Sequence, residues 1–289
     1  MGNYLHLRKY VSADLLRTDS KHMDVQKSEI EELATRFEED GYVVLKLEGI
    51  DDLIDEINSD VENLLASGEY RTNSKIYSYN DSPRIVESWK YSHASHKLAF
   101  NSQVMEFLFN YFSAEPLPFS TITFLRSTEQ PLHSDYIHFG TIPHQRLAAS
   151  WVALEDIDPK SGPLQIVVRS HKNDLVCFSD IAPRVARSLG DVKEHYTLYE
   201  DYIRTMVEDS NLEVISPELK KGEAIIWNAN LLHGSPSCEN NQLSRRSQVT
   251  HYHFSETEMF YNPSFSSIRD GRFVRRNVEF LPNPAAQKS

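Results

Sequence analysis

Apolar residues recur at helical spacing through the first hundred positions and then give way to short alternating runs, a pattern that predicts helices first and strands after. From Ser28, the residues Ile30, Leu33 and Phe37 mark an amphipathic helix running into a strand at Tyr42-Val43-Val44-Leu45, with Gly41 as the break. Leu53, Ile54, Ile57, Val61, Leu64 and Leu65 predict a second helix from Ile50 to about Ser67. Leu98, Val104, Phe107, Leu108 and Tyr111 predict a third, from Ser95 to Tyr111. Between these two, Glu69 to Tyr91 is polar and rich in Tyr, Ser and Asn, and reads as a loop at the surface or the edge of a site.

After Pro116 the texture becomes that of strands. Short apolar runs at Phe119–Leu125, Leu147–Leu154, Pro163–Val168, Val214-Ile215, Ala224–Trp227 and Ser247–Phe254 are separated by Pro, Gly, Asn and Ser. Regularly spaced strands behind a helical layer predict a mainly β fold with flanking helices: a double-stranded β-helix, or jelly roll, of the cupin-like kind. Residues 1–27 read as an N-terminal arm, 28–280 as one jelly-roll domain and 281–289 as a frayed tail. A polar, helical insertion at 174–209 interrupts the strands, of the kind that serves as a lid.

Composition narrows the partners. A net charge of −12 repels nucleic acid and anionic membranes, and favours a small molecule that is cationic or polar. Two cysteines, Cys177 and Cys238, make neither a disulfide framework nor a Cys-rich metal site, so a cytoplasmic location is expected. The N-terminus has no apolar signal core, and no long apolar run appears elsewhere.

The candidate chemistry lies in His133, Asp135 and His233. Two imidazoles and one carboxylate on one face of a metal form the facial triad of non-heme Fe(II) oxygenases, which keeps positions open for a co-substrate and O2. His133 and Asp135 are two apart, so on an extended segment both side chains leave the same face. His233 must then arrive from another strand. A 2-oxo acid fits two of the open positions, and its far carboxylate calls for an arginine fork at a fixed distance. Arg245 and Arg246 are the candidates. On a strand, Arg245, Ser247, Val249, His251 and His253 share one face, while Arg246, Gln248 and Thr250 share the other. Arg245 is favoured because Ser247 stands beside it as a second donor.

The chain resembles the phytanoyl-CoA dioxygenase family of Fe(II)/2-oxoglutarate oxygenases. The likeness rests on Phe37-Glu38-Glu39-Asp40-Gly41-Tyr42-Val43-Val44-Leu45, His133-Ser134-Asp135, Trp151-Val152-Ala153-Leu154-Glu155-Asp156, Ser161-Gly162-Pro163-Leu164, Arg169-Ser170-His171-Lys172 and His233-Gly234-Ser235. It implies a double-stranded β-helix, Fe(II), and 2-oxoglutarate and O2 as co-substrates, with succinate and CO2 as products. Two departures stand out: the interval from His233 to the arginine pair is about one residue longer than usual, and Arg169 stands where the family often has Gly. Because Asp135 is retained, hydroxylation is expected rather than halogenation, for which related enzymes give up the carboxylate.

Around this core, Gln130 is a candidate partner for 2-oxoglutarate or a ligand, or an ordinary loop residue. Thr123 is a candidate contact to the co-substrate. Trp151 is expected to pack against the iron site or simply in the core. Tyr136 and His138 are candidates for the substrate mouth, and His138 is also the main rival for the metal. Two other readings stay open: a metal-dependent hydrolase or isomerase working by Lewis-acid chemistry, and a jelly-roll binding protein without turnover.

Overall fold

The computed structural model describes residues 20–68, 76–79, 82–181 and 192–284. Helix α1 (Ser20–Asp40) runs into strand β1 (Tyr42–Lys46) through Gly41, and α2 (Asp51–Ala66) follows. Gly41 has φ +86°, and a Cβ there would run into His171 and Leu231, so the turn depends on glycine. Helix α1 starts eight residues ahead of the expected Ser28, within the stretch read as an arm; residues 1–19 of that arm lie outside the described residues.

Two expectations need correction. The helix expected over Ser95–Tyr111 is two helices, α3 (His93–Ala99) and α4 (Ser102–Phe112). The break comes at Asn101, whose side chain accepts hydrogen bonds from the N–H groups of Gln103 and Val104 and so starts a new helix. The polar stretch expected to be a loop contains a hairpin, β2 (Ile76–Tyr79) and β3 (Ser82–Val86). Its backbone is recruited by β4 (Pro116–Phe124), with Arg84 opposite Phe124 and Ile85 opposite Thr123. An open sheet edge supplies donors and acceptors regardless of side-chain polarity. Residues 69–75 and 80–81 lie outside the described residues.

The remaining elements are β5 (Gly140–Ile142), β6 (Leu147–Ala153), β7 (Gln165–Val167), α5 (Phe178–Ile181), α6 (Val192–Glu208), β8 (Val214–Ile215), β9 (Glu223–Asn228), β10 (His233–Gly234), β11 (Ser247–Phe254) and β12 (Met259–Tyr261). A large antiparallel sheet has the order β1-β9-β6-β11-β4-β3-β2. A smaller sheet, β10-β7-β8, and the pair β12-β5 complete the double-stranded β-helix. The mainly β jelly roll with flanking helices is therefore the observed fold. Residues 182–191 of the expected lid and 285–289 of the expected tail lie outside the described residues.

The large sheet is buried on both faces. Ala148, Val152, Ala224, Ile226, Tyr252 and Phe254 pack outward against Phe37, Ile54, Ile57, Leu98, Phe107 and Leu108 of the helices. Their alternating neighbours, Ala149, Trp151, Ala153, Ile225, Trp227 and Val249, face the small sheet with Leu164, Ile166 and Leu231. Each large apolar side chain so buried contributes about 1.5–3 kcal/mol. The inner face is where the candidate site lies. Among the described residues no helix is long and apolar enough to cross a membrane.

Candidate metal centre and active site

His133 and His233 meet as an isolated antiparallel bridge, and Asp135 begins a short 3-10 turn just beyond it. Ligand atoms of the three residues lie within 4.8 Å of one another, and all three side chains are buried. His133 Nδ1 lies 2.9 Å from the carbonyl of Pro131, and His233 Nδ1 lies 3.0 Å from that of Leu231. A carbonyl only accepts, so each Nδ1 carries a hydrogen, which leaves each Nε2 as the atom turned toward the other ligands. Burial, with repulsion from His233, pushes the His133 imidazole down to about 3, which keeps it neutral.

Asp135 is oriented from two sides. The indole N–H of Trp227 donates to Oδ2 at 2.8 Å, and Oδ1 lies 3.6 Å from His233 Nε2 and 3.4 Å from His251 Nε2. Burial alone would raise this carboxyl, but the surrounding imidazoles of His233, His251 and His133 hold it below the usual carboxylate range. Two imidazole nitrogens and one carboxylate oxygen, converging on one point, fit a divalent transition metal. The loop is fixed from behind as well. Between the two ligands, the Ser134 N–H donates to Tyr199 Oη at 2.9 Å, which packs α6 onto the metal loop.

A cavity of about 130 Å³ opens from the triad. Arg245 lines it and is 2 % exposed. Its Nη1 donates to Ser235 Oγ at 2.8 Å and to the Gly162 carbonyl at 3.2 Å, while Nε has no hydrogen-bond partner among the described residues. Its guanidinium lies 5.7 Å from the Trp151 ring and 5.8 Å from that of Phe124. Burial pushes its pKa down to about 10. Among the described residues no carboxylate pairs with this buried cation. Arg246 points the other way, to Glu62 at 2.8 Å on α2.

The other candidates divide. Gln130 lines the cavity, with Nε2 3.2 Å from His133 Nε2, and Trp151 and His138 line it too. His138 is stacked on Tyr196, and its ligand atoms do not join the converging three. Its imidazole is pushed down to about 4, chiefly by burial, with His251, Arg276 and Arg84 adding to the effect against Asp135. Ser247 shares the inner face with Arg245, but its buried hydroxyl has no hydrogen-bond partner among the described residues and does not line the cavity. Thr123 is misassigned: it faces Ile57, Val61 and Ser95 on the helical side, and its neighbours Ile122 and Phe124 reach the cavity instead. Tyr136 is also misassigned. It is 1 % exposed and bonded to the Tyr261 hydroxyl, away from the cavity.

Three contributors were not foreseen. Trp227 and His251 hold the Asp135 carboxylate, and the inner-face alternation with Ile225 and Val249 was the available signal. Arg84, from the hairpin read as a loop, lines the cavity, and nothing in its local sequence marks it.

Residues 25–247 match the family model for phytanoyl-CoA dioxygenase (PhyH). The chain belongs to the phytanoyl-CoA dioxygenase family. It is 26% identical over 110 residues to the peroxisomal phytanoyl-CoA dioxygenase of Mus musculus, a match covering 38% of this chain and only 29% of the mouse enzyme. Among solved structures it is similar to the epimerase SnoN of nogalamycin biosynthesis, in complex with Fe3+, alpha-ketoglutarate and nogalamycin RO. That match has a TM-score of 0.61 and 16% identity, over 89% of this chain and 100% of the other. It is also similar to EctD of S. alaskensis with 2-oxoglutarate and 5-hydroxyectoine, with a TM-score of 0.60 and 20% identity, over 86% and 84% of the two chains. The family model names dioxygenases, and in this chain the buried His133, Asp135 and His233 offer a converging set of metal ligands.

Proposed function

We propose that this family member hydroxylates a small molecule, coupling the reaction to decarboxylation of 2-oxoglutarate to succinate. The observation that carries the reading is Arg245, a buried arginine with no carboxylate partner in the same cavity as the triad. His133 and His233 would present Nε2 to iron, and Asp135 would present Oδ1 while Trp227 restrains Oδ2. Arg245, steadied by Ser235, would hold the far carboxylate of 2-oxoglutarate, with Gln130 beside His133 as a further donor. Iron and 2-oxoglutarate together supply the activation of O2 for attack on a C–H bond. Ile122, Phe124, Leu164 and Val249 exclude water from that space, and His138 and Phe139 border the side left for the substrate. Hydroxylation is the outcome assigned here, and tailoring of a specialised metabolite is the setting it suits. The two cysteines form no disulfide, which supports placing it in a reducing compartment such as the cytoplasm.

The test is anaerobic addition of Fe(II) and then 2-oxoglutarate to metal-free protein. A weak visible charge-transfer band that requires both is expected, and it should vanish in His133→Ala, Asp135→Ala and His233→Ala while far-ultraviolet circular dichroism is kept. Succinate should then form on addition of O2 and substrate. Metal binding with no band and no response to 2-oxoglutarate would move the assignment to Lewis-acid chemistry.

A further inference from the structure

The chain is acidic as a whole, and that alone favoured a cationic substrate. The cavity beside the triad does not. Each carboxylate and guanidinium that lines it is already engaged. Asp135 takes the Trp227 indole N–H on one oxygen and faces the imidazoles of His233 and His251 with the other. Arg245 donates to Ser235 and Gly162, and on the reading above it holds the co-substrate. Arg84 has its own partner and lies 5.6 Å from the centre of the Phe124 ring. With Fe(II), 2-oxoglutarate, Asp135 and Arg245 all in place, the formal charges at the centre cancel. A charged substrate group entering this space would give up its water and meet no spare opposite charge, which is strongly disfavoured.

The groups that the cavity leaves unpaired are neutral. His138 lines it, and among the described residues no hydrogen bond reaches its ring, which stacks on Tyr196 at 5.4 Å and lies 5.9 Å from Phe139. Its ring nitrogens keep open surface, unlike Nδ1 of His251, which is sealed in the core. Burial keeps this imidazole neutral, so it offers one N–H and one lone pair. Gln130 is the second such group. Its Nε2 lies 3.2 Å from His133 Nε2 and donates to Tyr196 Oη at 3.4 Å, while its Oε1 has no hydrogen-bond partner among the described residues. Tyr196, on α6 of the insertion, therefore touches both, with its ring on His138 and its hydroxyl on Gln130. Two polar groups are held in place from behind with hydrogen bonds still to make, and an incoming donor completes them.

We infer that the part of the primary substrate beside the metal is uncharged and carries a hydroxyl or N–H donor. His138 is the residue that selects it, with Gln130 Oε1 as a second acceptor, and the apolar body lies against Phe139 and Ile122. This inference rests on the oxygenase reading for the role of the site, but its binding test needs no iron. The probes are a fragment library in which each carbon skeleton is present as an alcohol or amide, a methyl ether without the donor, an ammonium ion and a carboxylate. Binding is read by saturation-transfer NMR on Zn(II)-loaded protein, with and without 2-oxoglutarate. Neutral donors should dominate the hits obtained with 2-oxoglutarate present and bind at least about 3-fold more tightly than their ethers. His138→Phe, which keeps a ring on Tyr196, should abolish that margin, and His138→Gln, which keeps a neutral donor and acceptor, should restore part of it. Neither variant should weaken 2-oxoglutarate binding. Should His138→Phe fail to fold, Tyr196→Leu, which removes the shelf behind the imidazole, should lower the margin in its place. Mainly charged hits, no neutral-donor hit at all, or a margin that survives these variants would each overturn the inference. If neutral donors bind through His138 but the Fe(II)–2-oxoglutarate band never forms, the subsite stands and the oxygenase reading falls. If the band forms and the hits are charged, the reverse holds.

Discussion

His133 and His233 exchange both backbone hydrogen bonds, each N–H reaching the other's carbonyl at 2.9 Å. Two metal ligands a hundred residues apart in the chain are thereby fixed as one antiparallel bridge, with ring centres 4.5 Å apart. Gly234 makes the approach possible: a Cβ there would lie 2.8 Å from the Gln130 carbonyl oxygen and 3.0 Å from the Leu132 nitrogen. Both are backbone atoms that no side-chain rotation can clear. Gly234→Ala should therefore force the bridge apart, lowering stability by about 1–3 kcal/mol and weakening Fe(II) or Co(II) binding. Calorimetric metal titration beside urea unfolding checks this, and an unaltered metal affinity would show that the bridge does not set the ligand spacing.

Trp227 contributes one polar atom to the site, and Trp227→Phe removes it while keeping an aromatic ring in the core. Without the indole donor, Asp135 Oδ2 loses its 2.8 Å partner and the carboxylate is free to rotate. Loss of such an orienting contact typically costs about 10–100-fold in metal affinity. The expected result is a loss in that range with the helical and strand content preserved.

The two adjacent arginines separate cleanly. Arg245→Ala should raise the 2-oxoglutarate requirement by about 30-fold or more, the scale expected for removing one partner of a buried charged pair, with a much smaller effect on the primary substrate. Arg246→Ala removes a surface contact to Glu62 and should leave the 2-oxoglutarate requirement unchanged. The reverse outcome would overturn the assignment of Arg245.

Acid sensitivity has a source outside the metal site. His253 is fully buried, stacked on Phe119 with ring centres 4.1 Å apart, and its Nε2 has no hydrogen-bond partner among the described residues. Burial pushes its pKa down to about 3. The unfolded chain, with an ordinary histidine near 6.5, takes up a proton between those two values that the folded chain refuses. Stability therefore falls as pH drops from 6.5 toward 3, by about 1.4 kcal/mol per pH unit from this residue. His253→Phe should flatten the dependence of the urea midpoint on pH between 6.5 and 4.5. An unchanged slope would place the acid sensitivity elsewhere.

Much of this was legible in the chain. Period-two alternation placed Arg245, Val249 and His251 on one face, and the His-x-Asp spacing put both ligands on one side of a short segment. The runs at Val214-Ile215 and Ser247–Phe254 became β8 and β11 over the same residues. These are local properties, set by backbone geometry within a few residues. Alternation alone, however, cannot say which face is the inner one when both faces are buried. Every residue of β6 and β11 is buried, so hydrophobicity does not distinguish the helical side from the metal side. That is why Thr123 was assigned to the wrong side of the sheet, and why Trp227 and His251 carried no visible role.

The hairpin that brings Arg84 to the cavity was equally hidden, because its strands form by pairing with the edge of β4 rather than by their own apolar pattern. The sequence by itself offered the candidate ligands, a preference between the two arginines and most of the succession of elements, since each depends on near neighbours. Only the tertiary structure decided which atoms converge on the metal and what charge lines the space beside it. Those depend on pairings between strands far apart in the chain, closed by backbone hydrogen bonds that leave no mark on side-chain pattern.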